Sequence, residues 1–361
     1  MRPNARRAAA TVILATTALT GISVAPGSAR VPPQTDGAAA GSVVVLGDSV
    51  AAGEGARAGY RYRDRMLLPG WTTTGRTAST TDPCGRSDGA YGVRVAQALG
   101  AMLTNLACTG ASFEKGIVLD ERFDEARPDL VLVTAGANSV AFERAYAYCV
   151  LSARGVSDTE AARIVRASTV GDALATALAL AARRVLGTSP PAGTSACTTA
   201  NPGAYLRETV FDRTASIGAQ ARTLAQAIRA RGRAIGTAPQ VVFTTYPDPL
   251  PEAAAGLAVC PDAAGLGAEE LAFMHGMVAT LNDQLRRALA DLRGVRVADP
   301  DPAFVGHRWC DPSPWVHGPS IFVSDPTSRA PFHPTPAGQR AIADAVLATR
   351  SSVPGDWRGT V

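Results

Sequence analysis

Short runs of aliphatic and β-branched residues recur along the chain, and stretches of helical spacing separate them. Ser42-Val43-Val44-Val45-Leu46 is a continuous apolar run that ends at Gly47. A run without alternation predicts a strand buried on both faces, as in a parallel sheet. Met102 to Ala107 fits a second strand. Asp129 to Thr134 fits a third behind Pro128, Gln240 to Tyr246 a fourth closed by Pro247, and Val295 to Asp299 a short fifth. Between them, Tyr91, Val95, Ala98 and Leu99 share one helical face, which predicts a helix over 91–99. The same spacing predicts helices within 158–186, over 217–230 and over 268–292, and a final helix after Thr335-Pro336 that runs to about Thr349.

Strands separated by helices argue for an α/β fold around a central parallel sheet. No repeat and no clear linker interrupts the pattern, so residues 42–361 read as one domain. Within it, 143–215 reads as a helical insertion with its own cysteine pair, and 57–87, rich in Arg, Gly and Thr, as a long irregular surface excursion closing near Cys84.

The N-terminus stands apart. Arg2, Arg6 and Arg7 precede an apolar stretch from Ala8 to about Ala25, and small residues then offer cleavage sites after Ala25 or Ala29. This is the pattern of a secretory signal peptide over 1–29, followed by a flexible leader over 30–41. The stretch is rich in Ala and Thr and too weakly apolar for a stable membrane span. The expectation is a secreted chain. Losing the three arginines takes the formal net charge from +4 to +1, which excludes a nucleic-acid footprint. Nothing in the pattern calls for a partner chain, so a monomer is expected.

Six cysteines follow the leader: Cys84, Cys108, Cys149, Cys197, Cys260 and Cys310. An even number in an exported chain suggests three disulfides. Sequential pairing, Cys84–Cys108, Cys149–Cys197 and Cys260–Cys310, would staple one local excursion each. The chain has no C-x-x-C pair and no clustered histidine, so no metal site is expected.

Candidate chemistry sits at the ends of the predicted strands. Gly47-Asp48-Ser49 follows the first, Thr109-Gly110 the second and Gly136-Ala137-Asn138 the third. Open parallel sheets bind ligands at these carboxyl ends. A serine on a turn leading into a helix exposes its hydroxyl. The Ser49 and Gly110 N–H groups and the Asn138 amide are three donors for a developing oxyanion. Asn138 read alone is a turn residue. His333, in a loop before the last helix, is the candidate general base. Of the other histidines, His275 sits in a predicted helix, whereas His307 and His317 are loop residues that compete weakly for that role. Together these parts are what acyl transfer needs.

On those four segments the chain resembles the SGNH (GDSL-type) hydrolase family, in particular its secreted actinobacterial esterases and lipases. The family's four naming residues match Ser49, Gly110, Asn138 and His333 in the right order, and the resemblance spans about 42–350. It implies a flavodoxin-like three-layer α/β/α sandwich and ester hydrolysis through an acyl-enzyme, with neither cofactor nor metal. Ser49 would be nucleophile, His333 base and acid, and Ser49, Gly110 and Asn138 the oxyanion hole. The substrate would be a small-molecule or lipid ester. The three-disulfide arrangement also resembles that of the secreted members.

The chain departs from the family pattern twice. Ser139 stands where the third block usually ends in aspartate, and Ala330 stands where an aspartate usually precedes the histidine by three residues. An acid there would orient the imidazole and stabilise its cation. A backbone carbonyl, as some secreted relatives are thought to use, is the expectation here: the Ala330 carbonyl accepts the His333 Nδ1–H, leaving a Ser–His dyad. The alternative is that Asp325 or Asp311 folds back. The 143–215 region could wall an apolar acyl groove or be a plain structural addition. A deacetylase of acetylated polysaccharide shares the mechanism, with Tyr60, Tyr62, Trp71 and Trp315 available to stack on sugars. A non-catalytic binding protein on the same fold is the third reading.

Overall fold

The computed structural model describes residues 41–56, 82–167, 195–252, 266–318 and 332–351. Five strands form one sheet: β1 (Ser42–Gly47), β2 (Met102–Asn105), β3 (Leu130–Thr134), β4 (Gln240–Thr244) and β5 (Val295–Ala298). Their order is β2-β1-β3-β4-β5 and every pairing is parallel. The helices are α1 (Ser49–Ala52), α2 (Tyr91–Leu99), α3 (Glu121–Ala126), α4 (Phe142–Ala153), α5 (Asp158–Ala167), α6 (Ala204–Leu206), α7 (Asp212–Ala234), α8 (Ala268–Leu289) and α9 (Pro336–Ser351). A π-helical turn, Arg207–Phe211, joins α6 to α7.

The central strands are apolar because both their faces are covered. Val43 to Leu46 and Leu130 to Val133 are all buried. Each such side chain contributes roughly 1.5–3 kcal/mol by leaving water. The register sets Val45 beside Leu132 and Gly47 beside Thr134. Helices α2 and α9 pack together, as do α7 and α8, and both pairs contact the sheet. Right-handed crossovers place α3, α7 and α8 on the face opposite α2 and α9. The result is a flavodoxin-like α/β/α sandwich whose order reverses between β1 and β3. Ligands of such sheets bind at that switch point.

Two helices that the periodicity does not delimit have clear causes. The first, α3, is charged, with Phe123 its one buried residue, and Asp120 caps it by accepting the Arg122 N–H. By contrast α4 is buried from Ala145 through Ser152, so it shows no amphipathic stripe. The first helix of the 143–215 stretch is therefore part of the common core. Of the helical stretch expected over 158–186, α5 accounts for the part up to Ala167, and 168–194 lies outside the described residues.

Cys84 is bonded to Cys108 and Cys149 to Cys197. Cys310 is also disulfide-bonded, whereas Cys260 lies outside the described residues. The first bridge ties the segment before α2 to the end of β2, and the second ties α4 to the chain entering α6. They close separations of 24 and 48 residues. Loop-closure entropy then assigns them about 3 and about 4 kcal/mol. Urea unfolding of the paired alanine variants, Cys84→Ala with Cys108→Ala and Cys149→Ala with Cys197→Ala, is expected to show losses of that size. The second pair should lose more than the first.

Candidate active site

The first block is shaped by the sheet. Gly47 has φ +129°, and a Cβ there would lie 2.0 Å from the Thr134 carbonyl oxygen, so only glycine lets β1 turn against β3. Asp48 then caps α1, its Oδ1 accepting the Val50 N–H at 3.0 Å. Ser49 opens that helix, and its N–H belongs to the first turn, where no carbonyl lies one turn back.

The Asp48 side chain is buried, and its Oδ2 accepts the Tyr246 hydroxyl at 2.5 Å. The same tyrosine oxygen accepts the Ala137 N–H at 3.2 Å. Tyr246 itself is clasped by Asn282 of α8, which accepts its N–H at 2.9 Å and donates to its carbonyl at 2.8 Å. One phenol thus joins the first block to the third. Burial pushes the Asp48 carboxyl up to about 6, against the opposing pull of the Tyr246 and Val50 hydrogen bonds and the charge of His333. Burial also raises the Tyr246 hydroxyl, which stays a donor.

His333 is buried, and its Nε2 lies 2.6 Å from Ser49 Oγ. Its loop is strapped to the preceding segment by backbone bonds from His317 N–H to the His333 carbonyl, from Phe332 N–H to the His317 carbonyl and from Thr335 N–H to the Trp315 carbonyl. Gln339 of α9 is fully buried and reaches both neighbours of the serine turn. Its Oε1 accepts the Tyr91 N–H at 2.8 Å and its Nε2 donates to the Val50 carbonyl at 3.1 Å.

Gly110 has φ +78° with open space around its Cβ position. Asn138 is exposed, and its Nδ2 donates to the Ala111 carbonyl at 2.9 Å. That leaves the second amide proton for another acceptor. Ser49, Gly110, Asn138 and His333 all line one cleft of about 910 Å³.

The other histidines are engaged elsewhere. His275 Nδ1 faces Asp248 at 2.5 Å and its Nε2 faces the Pro251 carbonyl at 3.1 Å. Burial works against its proton, but the Asp248 hydrogen bond and charge prevail and raise its pKa. His307 bonds the Ser313 carbonyl at 2.8 Å and stacks on Trp315 at 3.8 Å. His317 Nε2 meets the Gly55 carbonyl at 2.9 Å, tying the histidine loop to the serine loop.

Of the two departures from the family pattern, the one at position 139 lies within the described residues. Ser139 Oγ donates to Glu114 at 2.9 Å and accepts the Phe113 N–H at 3.1 Å. An aspartate at 139 would set two carboxylates against each other. Asp311 accepts the Arg308 N–H at 2.6 Å in a local turn. Ala330, Asp325, Tyr60, Tyr62 and Trp71 lie outside the described residues.

The described part of 143–215 brings charged residues to the cleft. Arg144, Arg166 and Arg213, with Glu143 and Asp212, line it together with apolar Phe142, Val278, Leu281 and Phe332. Helix α5 turns Ala161, Ala162 and Val165 into the core, which leaves Arg166 for the cleft. Sequence reasoning missed Tyr246, Asn282, Gln339 and Glu54 as parts of the site. The only local signals are polar residues at a strand end, on helix faces and in a loop of small residues.

A family model described as GDSL-like Lipase/Acylhydrolase family matches residues 45–341. Among solved structures, the chain is similar to the extracellular lipase of Streptomyces rimosus at 22% identity and TM-score 0.53, covering 86% of this chain and 99% of that one. It is also similar to phospholipase A1 of Streptomyces albidoflavus NA297 at 21% identity and TM-score 0.51, with coverage of 86% and 99%. At those identities the likeness is one of fold. No curated protein matches the chain significantly.

The raised Asp48 carboxyl has a consequence for stability. A group whose folded pKa lies above its unfolded value of about 3.9 favours the folded state below that value and loses the advantage as pH rises through about 6. Asp48→Asn removes this dependence. Urea unfolding should show the variant gaining on the native protein by about 2 kcal/mol between about pH 4 and about pH 7. A constant difference across that range would contradict the shift.

Proposed function

The chain belongs to the GDSL-like lipase/acylhydrolase family and is a carboxylic ester hydrolase, and we propose that it is a secreted serine esterase or lipase working through an acyl-enzyme on a Ser49–His333 dyad. The observation that carries this reading is the 2.6 Å contact between His333 Nε2 and Ser49 Oγ. That is hydrogen-bond reach for a base and its nucleophile.

In this reading Ser49 Oγ attacks the acyl carbon while its proton passes to His333 Nε2. The carbonyl oxygen becomes an oxyanion held by the N–H groups of Ser49 and Gly110 and the free amide proton of Asn138. The C–O bond to the alcohol then breaks, and the alkoxide leaves with the proton from Nε2. Water repeats the sequence on the acyl-enzyme, its proton going to Nε2 and then to Ser49 Oγ. The Ala330 carbonyl orients the ring through Nδ1–H. Burial of His333 and its strapped loop favour one ring orientation without a carboxylate at position 330.

Phe142, Val278, Leu281 and Phe332 offer apolar surface in the cleft to the acyl chain, and Arg144, Arg166 and Arg213 suit a polar alcohol portion. Secretion is supported by the N-terminal pattern and by the disulfides, which persist in oxidising compartments. The similar Streptomyces rimosus lipase is described as extracellular. No helix among the described residues is long and apolar enough to cross a membrane.

Hydrolysis of p-nitrophenyl esters from acetate to palmitate by the purified protein tests the reading, with Ser49→Ala as control. Activity rising to chains of about eight carbons or longer and abolished in the variant is expected for burial of acyl methylenes against this apolar surface. Activity confined to acetate would redirect the assignment to a deacetylase. Failure of Ser49 to be labelled by a fluorophosphonate would overturn the nucleophile.

Asn138→Ala tests the oxyanion hole. Its kcat is expected to fall on the order of 10²–10³-fold. Because Asn138 is exposed, the melting temperature should barely move. An unchanged kcat would remove Asn138 from the hole.

A further inference from the structure

Glu54 is a buried carboxylate beside the reacting atoms for which the hydrolytic scheme has no use. It follows α1 in the loop that begins at Gly53, and its side chain is 1% exposed. Its Oε2 accepts the Thr109 hydroxyl at 2.9 Å and lies 3.8 Å from His333 Nε2. Its Oε1 is buried with no hydrogen-bond partner. The loop holds it firmly, since the Glu54 N–H donates to the Ser49 carbonyl at 2.9 Å.

Burying a carboxylate is unfavourable, and leaving one oxygen unbonded makes it more so. Anchoring Thr109 does not require the charge, because a neutral amide oxygen at the same place accepts the same hydrogen bond. The Thr109 hydroxyl also has the Cys84 carbonyl at 3.1 Å. What a neutral group cannot supply is a negative charge next to Nε2. A separation of 3.8 Å is too long for a hydrogen bond, so Glu54 acts on the ring by charge and does not exchange protons with it.

We propose that Glu54 is a positioning residue, a buried counter-charge that stabilises the His333 imidazolium formed when Ser49 gives up its proton. The inference rests on the Ser49–His333 reading. Glu54 takes the electrostatic share of an acid that Ala330 cannot provide, and it does so from the serine side of the ring. The proton passes from Ser49 Oγ to Nε2 and on to the leaving alkoxide, and Glu54 takes no part in the transfer. Preorganised charge of this kind acts where charge develops in the reaction.

The other charged groups near the pair are identifiable. Asp48 interacts electrostatically with His333 and is bonded to Tyr246. The segment packed under the loop carries the Asp82–Arg86 ion pair and the exposed Asp88. His317 contacts the Gly55 carbonyl, and α9 presents the neutral Gln339.

The test is the pH dependence of kcat and kcat/KM on p-nitrophenyl butyrate for the native protein, Glu54→Gln and Thr109→Val. In Glu54→Gln the imidazole loses a reason to stay protonated. Its acidic limb should move down by about one pH unit, a tenfold change in proton affinity. The kcat should drop roughly 10- to 100-fold with KM within about twofold. Thr109→Val loses the hydrogen bond and keeps the charge, so its limb should stay at the native pH. A native limb in Glu54→Gln overturns the proposal, and so does a Thr109→Val profile that copies Glu54→Gln. If Glu54→Gln does not melt cooperatively, Glu54→Asp withdraws the charge by one methylene. A limb shifted down in that variant supports the proposal and an unmoved limb overturns it. Ser49→Ala and His333→Ala run alongside. Activity surviving in those two overturns the dyad itself, whereas its loss together with an unmoved Glu54→Gln limb overturns Glu54 alone.

Discussion

The Asp48 carboxylate has no access to water, so every donor it needs must come from the chain. It stands directly before Ser49, which means its donors are also neighbours of that serine. One is the Val50 N–H of its own short helix, and the other is the Tyr246 hydroxyl at the end of β4. That hydroxyl in turn holds the Ala137 N–H after β3. A desolvated anion left without one partner costs more than the bond itself contributes. The ends of β1, β3 and β4 are therefore held at one relative height by a single buried group. Asn282 extends the constraint to α8 by clasping the Tyr246 backbone. Of the proposed oxyanion donors, Ser49 and Asn138 directly follow residues of this arrangement, Asp48 and Ala137.

The histidine reaches the same place by a different route. Ser49 and His333 are 284 residues apart, and the sheet alone does not join them. Gln339 does, because its amide bridges α2 and the serine helix while its own helix carries the histidine loop at its start. His317 adds a second link from the histidine side to the Gly55 carbonyl. A Ser–His contact supported on both flanks keeps its geometry without relying on the flexibility of either loop. Positioning of this quality matters because a misplacement of about 1 Å can cost a hundredfold in rate.

The fold was legible because its central strands are buried on both faces. Val43 to Leu46 and Leu130 to Val133 can hardly be anything but strands between covered layers. The four site segments were legible because each follows a strand or opens a helix. The supporting residues were not. Tyr246, Asn282 and Gln339 carry no local mark that separates them from the polar residues beside them, and their partners lie 36 to 289 positions away. The bounds of α4 were hidden by its burial, since a helix covered from Ala145 through Ser152 shows little period to read. The charged residues that 143–215 brings to the cleft were not legible for a related reason. Apolar spacing in α5 marks the face turned to the core, and the opposite face, with Arg166, is the one the cleft receives.

Two buried carboxylates flank one base, and their hydrogen bonding separates their roles. Asp48 has donors on both oxygens, so its charge is largely spent on holding the strand ends together. Glu54 has a donor on one oxygen and none on the other, at the same depth of burial. Folding gains little from such a group, and buried polar atoms are rarely left in that state. A sequence that keeps one beside its base violates a local rule for stability at the point where charge must appear during the reaction. The absent acid at position 330 and the under-bonded acid at position 54 are then one fact seen from two sides of the imidazole ring.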